Sequence, residues 1–213
     1  MAFDKEFKEA ISRLPAKEKD KLIFRLLKRD LDLANRLYFE LISGDTHEDR
    51  RNEAKKNIER GINYAKKCTA SPYFTPGYLM MEIRNSSGII SDHVKITKDK
   101  YGEVALSVFA LKEYLQIYCD KFKNYHTGKS YTLNIYLVVK AFKLMGLIKK
   151  LHEDYAIDFA DDLEKIGLIF GEIPNLMKVA THNGLDVNWL IQNEIPDNIA
   201  QIEKDLRQRG YLR

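Results

Sequence analysis

Two groups of residues in this chain have types and spacings that could do chemistry. The first is a carboxylate cluster, Asp154, Asp158, Asp161, Asp162 and Glu164, beside His152 and Glu153. Asp154, Asp158 and Asp161 recur at i, i+4 and i+7, which puts them on one face of a helix, where oxygen ligands can share a Mg²⁺ or Mn²⁺ ion. A metal held that way would serve a nucleotide phosphohydrolase. The second group is basic and aromatic: Lys121, Lys123, Tyr125, His126, Lys129, Lys140 and Lys143, with Tyr114, Tyr118 and Phe122 recurring on one face just upstream. Cations beside aromatic rings hold phosphates and stack bases, so this group predicts a nucleic-acid contact. Each group has a competing structural expectation. Acids and lysines belong on wet faces, and aromatic rings belong in the core with tyrosine hydroxyls reaching the surface.

Other patterns fail on specific grounds. Gly128-Lys129-Ser130 would fit the end of a phosphate loop, but that loop needs a glycine where Lys123 stands and a strand ahead of it. Helical nucleotide pyrophosphohydrolases hold metal between Glu-x-x-Glu on one helix and Glu-x-x-Asp on the next. Glu6-Phe-Lys-Glu9 has no such partner after it, so a metal site would rest on the 154–161 acids alone. The histidines, His47, His93, His126, His152 and His182, show neither HxH nor HxxxH spacing, whereas zinc needs three or four converging ligands. Cys68 and Cys119 make no CxxC pair and are expected as reduced thiols of a cytosolic protein. No cofactor is expected.

Helices must position these residues. Ser130 to Leu151 is apolar around most of its circumference, broken by a narrow stripe of Thr132, Lys140, Lys143 and Lys150. A helix of that kind must be covered by neighbours. Lys140 and Lys143 interrupt the run, which reads against a membrane span. Val104, Leu106, Val108, Leu111, Leu115, Tyr118 and Phe122 mark a second long helix, and His126 to Ser130 reads as the turn of an αα-hairpin. Ahead of it, Ala54, Ile58, Ile62 and Ala65 form a thin seam on an otherwise polar helix opened by a Thr46–Asp49 capping box. Thr75-Pro76 starts another helix, which Ser86-Ser87-Gly88 is expected to weaken or kink. At the N-terminus Asp4 caps a short helix carrying Phe7, Ala10, Ile11 and Leu14. Asp30 separates two apolar faces, read as two helices in preference to one continuous one.

The expected fold is therefore all-α, a compact bundle of about eight or nine helices around a central helix near 130–151. It is read as one domain over 1–213, with a subdivision into 1–68 and 76–213 as the variant, joined by the turn-rich 69–75 loop. Charge is blocked along the chain. Residues 95–151 carry 11 Lys/Arg against 4 Asp/Glu, and residues 152–205 carry 3 against 12. Consecutive elements usually lie together, so the blocks are expected to neutralise each other in part. The N-terminus has no apolar leader segment. Without a catalytic constellation, the leading expectation is a non-enzymatic cytosolic protein that binds another macromolecule, a protein partner first, through a helix face. Nucleic-acid binding by the 95–151 hairpin and metal-dependent phosphohydrolysis by the 152–164 acids stand as alternatives.

Overall fold

The computed structural model describes residues 3–124 and 127–213, and within them the chain is helical with no strand. In order it forms α1 (Lys5–Arg13), α2 (Ala16–Leu27), α3 (Leu31–Leu41), α4 (His47–Cys68), α5 (Pro76–Thr97), α6 (Lys100–Phe122) and α7 (Thr127–Ile148). There follow α8 (Glu153–Ala156), a 3-10 turn (Ile157–Phe159), α9 (Ala160–Glu172), α10 (Pro174–His182), α11 (Asn188–Ile191) and α12 (Ile199–Gln208). Among the described residues the count exceeds the expected eight or nine, in part because α8 and α11 are single turns of 4 residues each, too short to leave a periodic signature.

Local chemistry sets the boundaries. Asp4, Asp30, Thr46 and Thr75 each accept a backbone N–H of the first turn that follows, those of Phe7, Leu33, Asp49 and Tyr78. The Thr46–Asp49 pair closes a full capping box. Asp30 thus ends the ambiguity between one helix and two. The Ser86-Ser87-Gly88 stretch leaves α5 continuous from Pro76 to Thr97, with the Ser87 hydroxyl donating to the Ile83 carbonyl at 2.7 Å inside it.

α6 and α7 share the centre. α6 packs against α4, α5, α7 and α9, and α7 packs against α5, α6, α10 and α12. The central position is therefore held by a pair of helices instead of by α7 alone. They run antiparallel: the Tyr118 hydroxyl donates to Asn134 Oδ1 at 2.6 Å, while Ala110 and Leu111 line one cleft with Lys143 and Leu144. The seam of α4 is buried as its pattern predicts. One continuous core joins α4 to Leu212 and passes across the 69–75 loop without a break. By length and composition Gly128–Ile148 could cross a membrane, so Lys140 and Lys143 do not by themselves exclude it. Its apolar side chains are spent inside the bundle: Leu137, Val138, Ala141, Phe142 and Met145 are buried. α7 also begins earlier than the hairpin turn predicted, since Thr127 to Ser130 form its first turn.

A buried polar junction ties α4, α5 and α6. Asp99 caps α6 by accepting the Gly102 N–H at 2.8 Å and takes Arg51 of α4 at 2.8 Å and His93 of α5 at 3.3 Å, with its side chain only 7% exposed. The Arg51 guanidinium lies 4.8 Å from the Tyr101 ring centroid. A side-chain carbon on Gly102 would strike the Asp99 carboxylate and approach Arg51 Nε to 2.9 Å, so the residue's smallness keeps this junction closed.

Candidate functional site

The basic and aromatic group is divided by the fold. Tyr114 and Tyr118 are 0% exposed and Phe122 is buried with them, so the rings proposed to stack bases lie in the core. Their hydroxyls find internal partners: Tyr114 bonds Ser86 at 2.8 Å and donates to the Glu82 carbonyl at 3.2 Å. Tyr125 and His126 lie outside the described residues. Lys123 pairs with Glu172 at 3.5 Å, while Lys121 and Lys129 are exposed near the same end of the hairpin. Lys140 and Lys143 sit three to four turns further along α7, roughly 16 Å or more from Lys129 at ~1.5 Å per residue. The five described lysines do not share one surface.

The carboxylates are dispersed as well. A 3-10 turn separates α8 from α9, so Asp154, Asp158 and Asp161 do not lie on one continuous helix face. Asp154 meets His152 at 3.2 Å, Asp158 accepts the Tyr101 hydroxyl at 3.2 Å, and Asp161 is exposed. Among the described residues, no three His, Cys, Asp or Glu side chains converge as a metal would require. The acids serve in part as counter-charge: Lys112 pairs with Asp162 at 2.7 Å and Lys149 with Asp197 at 2.7 Å, in addition to Lys123 with Glu172.

Two arrangements remain, and the sequence announced neither. The first is the N-terminal arm. Its apolar faces read as core faces in the sequence, yet α1 and α2 bury no residue and α3 buries only Phe39. Of the 18 exposed large hydrophobic residues among those described, 11 fall between Phe3 and Ile42. Phe24 is 64% exposed, Leu31 70% and Leu41 77%. α3 anchors the arm on α5, with Phe39 edge-on to His47 and Arg50 over its ring. Amphipathic periodicity identifies a face that wants cover, but it does not identify what covers it.

The second is a cleft where α5, α6 and α7 meet, a small cavity of about 50 Å³ that opens to solvent on one side. The Lys140 ammonium enters it, donates to Ser87 Oγ at 2.7 Å and lies 5.3 Å from the Tyr136 ring centroid. Arg84 stacks on the same ring at 5.4 Å. Burial pulls the Lys140 ammonium down from 10.5 to about 8, and the neighbouring Lys143 charge pushes the same way. None of the ion pairs among the described residues includes Lys140. The sequence places Lys140 on the polar stripe of α7 and gives no sign that neighbouring helices enclose it. Cys68 and Cys119 are free thiols. The sequence matches no protein-family model, and comparison with curated proteins and with solved structures returns no match.

Proposed function

We propose that this chain is a cytosolic, non-enzymatic interaction protein that docks a protein partner through the apolar face of α1–α3. The observation that carries this reading is the arm's 11 exposed large hydrophobic side chains on helices that bury almost nothing of their own. Aromatic side chains bury ~150–250 Å² each and aliphatic ones somewhat less, so eleven that are roughly 40–80% exposed offer on the order of 1,000 Å² in all. A monomer's largest apolar patch is typically ~300–600 Å², and a specific interface needs ~800 Å² from each partner. The arm is thus large enough to be one side of an interface. Charged residues surround the apolar positions, with pairs such as Arg36–Glu40 at 2.7 Å and Lys21–Glu18 at 2.9 Å. That mixture suits the polar rim of a protein interface better than a polyanion, which favours a surface of one sign.

The test is site-specific photocrosslinking in the native host, with the photoreactive residue at position 24 and, as a control, at Lys56 on the wet face of α4. The reading expects a discrete adduct from position 24 alone, lost when Leu31→Glu is added. An adduct of twice the chain mass would identify the partner as a second copy. A missing adduct, or one that Leu31→Glu leaves unchanged, would refute docking on the arm.

A further inference from the structure

We infer that the partner covering the arm is a second copy of this chain, seated about a two-fold axis so that α2 of each copy lies along α3 of the other. The inference rests on the docking reading above and adds the identity of the partner. Little of its own chain covers the arm. α3 is fastened to the body on α5, α2 reaches only α3, and α1 has no substantial packing partner among the described elements. Phe3, Phe7 and Ile11 recur at i, i+4 and i+8, and Leu33, Leu37 and Leu41 repeat that spacing along α3. Five of those six side chains are exposed and Leu37 is half-buried.

Charge selects the second copy. Residues 16–29 carry six Lys/Arg against two Asp/Glu, and residues 30–42 carry one against three. Of the six cations, only Lys21 is in an ion pair among the described residues, with Glu18 at 2.9 Å. A partner of either single sign would attract one helix and repel the other. A second copy related by a two-fold sets basic α2 over acidic α3 at both ends of the interface, the self-complementarity that an isologous contact requires. Size agrees with this. Two arms together remove on the order of 2,000 Å² of surface from water, within the range of stable dimer interfaces. The exposed rings of Phe7, Phe24 and Tyr38 are anchors of the kind enriched at such interfaces.

The experiment is sedimentation velocity on the purified full chain from ~1 to ~100 µM, where an association of micromolar strength is resolved. The inference expects a concentration-dependent shift from 24.8 kDa to twice that mass. Phe7→Glu with Leu41→Glu should hold the chain at the monomer mass. Tyr73→Ser, at an exposed ring outside the arm, should leave the dimer unchanged. Charge reversal tests the pairing of the helices. Arg25→Glu with Arg29→Glu, or Asp32→Lys with Glu40→Lys, should each weaken self-association ~10- to 100-fold. An equimolar mixture of those two variants should recover the dimer as a heterodimer. Circular dichroism checks the fold of each variant. Mass is the readout in place of thermal stability, because association near its Kd adds little stability by mass action. A wild-type chain that stays monomeric throughout, a dimer that survives Phe7→Glu with Leu41→Glu, or a mixture that does not recover would each overturn the second copy. A monomer whose position 24 still crosslinks a different protein in the host overturns this inference and leaves the docking reading standing, whereas loss of every adduct overturns both. A monomer that binds phosphatidylglycerol vesicles through the arm would assign that face to a lipid surface instead.

Discussion

Replacing Lys140 with methionine should make the protein more stable, the reverse of what most buried substitutions do. The folded-state ammonium sits at about 8 against 10.5 for an ordinary lysine, with burial as the main cause. At ~1.4 kcal/mol per pKa unit that gap is worth ~3 kcal/mol before screening, and water at the open side of the cleft reduces it to ~1–2 kcal/mol. Methionine has a similar length, carries no charge and can pack against Leu144 and Ile83. Ser87 is not orphaned, because its hydroxyl still donates to the Ile83 carbonyl. Loss of the contact with the Tyr136 ring costs ~0.5 kcal/mol. The net expectation at neutral pH is a gain of about 1 kcal/mol. Its pH dependence has a definite sign. Below about 8 the lysine is protonated in both folded and unfolded chains, so the penalty is complete and constant. Between about 8 and 10.5 only the unfolded chain keeps the proton, so wild-type stability rises with pH and the advantage of methionine shrinks. Urea unfolding of both proteins at matched pH across that window measures the difference, and host-wide alkaline effects cancel in it. A variant less stable than wild type at neutral pH, or an advantage that grows with pH, would show that Lys140 is not held at a desolvation cost.

Three other outcomes follow from the fold. Asp99→Ala should cost ~3 kcal/mol, since it uncaps α6 and leaves Arg51 and His93 without their shared carboxylate; urea midpoints check it, and a loss under ~1 kcal/mol would contradict the junction. Burial holds His93 below its ordinary 6.5, so stability should fall as pH drops through 6.5 toward the folded value and then level off, a limb that His93→Gln should flatten. Deleting residues 1–28 should leave the thermal unfolding free energy within ~1 kcal/mol of the full chain, because α1 and α2 bury no side chain, and a larger loss would show that the arm is part of the core.

Much of the helical framework was legible because capping is local chemistry. Asp4, Asp30, Thr46 with Asp49, and Thr75 all declare helix starts through side chains that act within three residues. The α4 seam and the burial of Tyr114, Tyr118 and Phe122 followed from spacing, since an i, i+4 pattern fixes which face turns inward. Three things were hidden for one reason: they depend on what lies opposite. Phe7, Ile23 and Leu33 have the same periodicity as core residues, and only the missing neighbour distinguishes them. The Asp154–Asp158–Asp161 spacing presumes a continuous helix, which the 3-10 turn at Ile157–Phe159 denies. Lys140 reads as solvated until α5 and α6 are brought against it.

The charge blocks explain why Lys140 is among the lysines of the basic hairpin that meet no carboxylate. The acidic third of the chain packs on two sides of the hairpin: α9 against α6, and α12 against α7. From there Asp162 and Glu172 reach Lys112 and Lys123, and Asp197, just before α12, reaches Lys149. The remaining side is covered by α5, which lines the cleft beside α7 with Ile83, Ser87, Ile90 and Ser91 and lays Arg84 over the Tyr136 ring. Neutralisation is therefore complete only where the acidic helices touch. A lysine on the α5 side meets hydroxyls and hydrocarbon instead, as Lys140 does with Ser87 at 2.7 Å, and its charge is held at a desolvation cost that no acidic helix offsets.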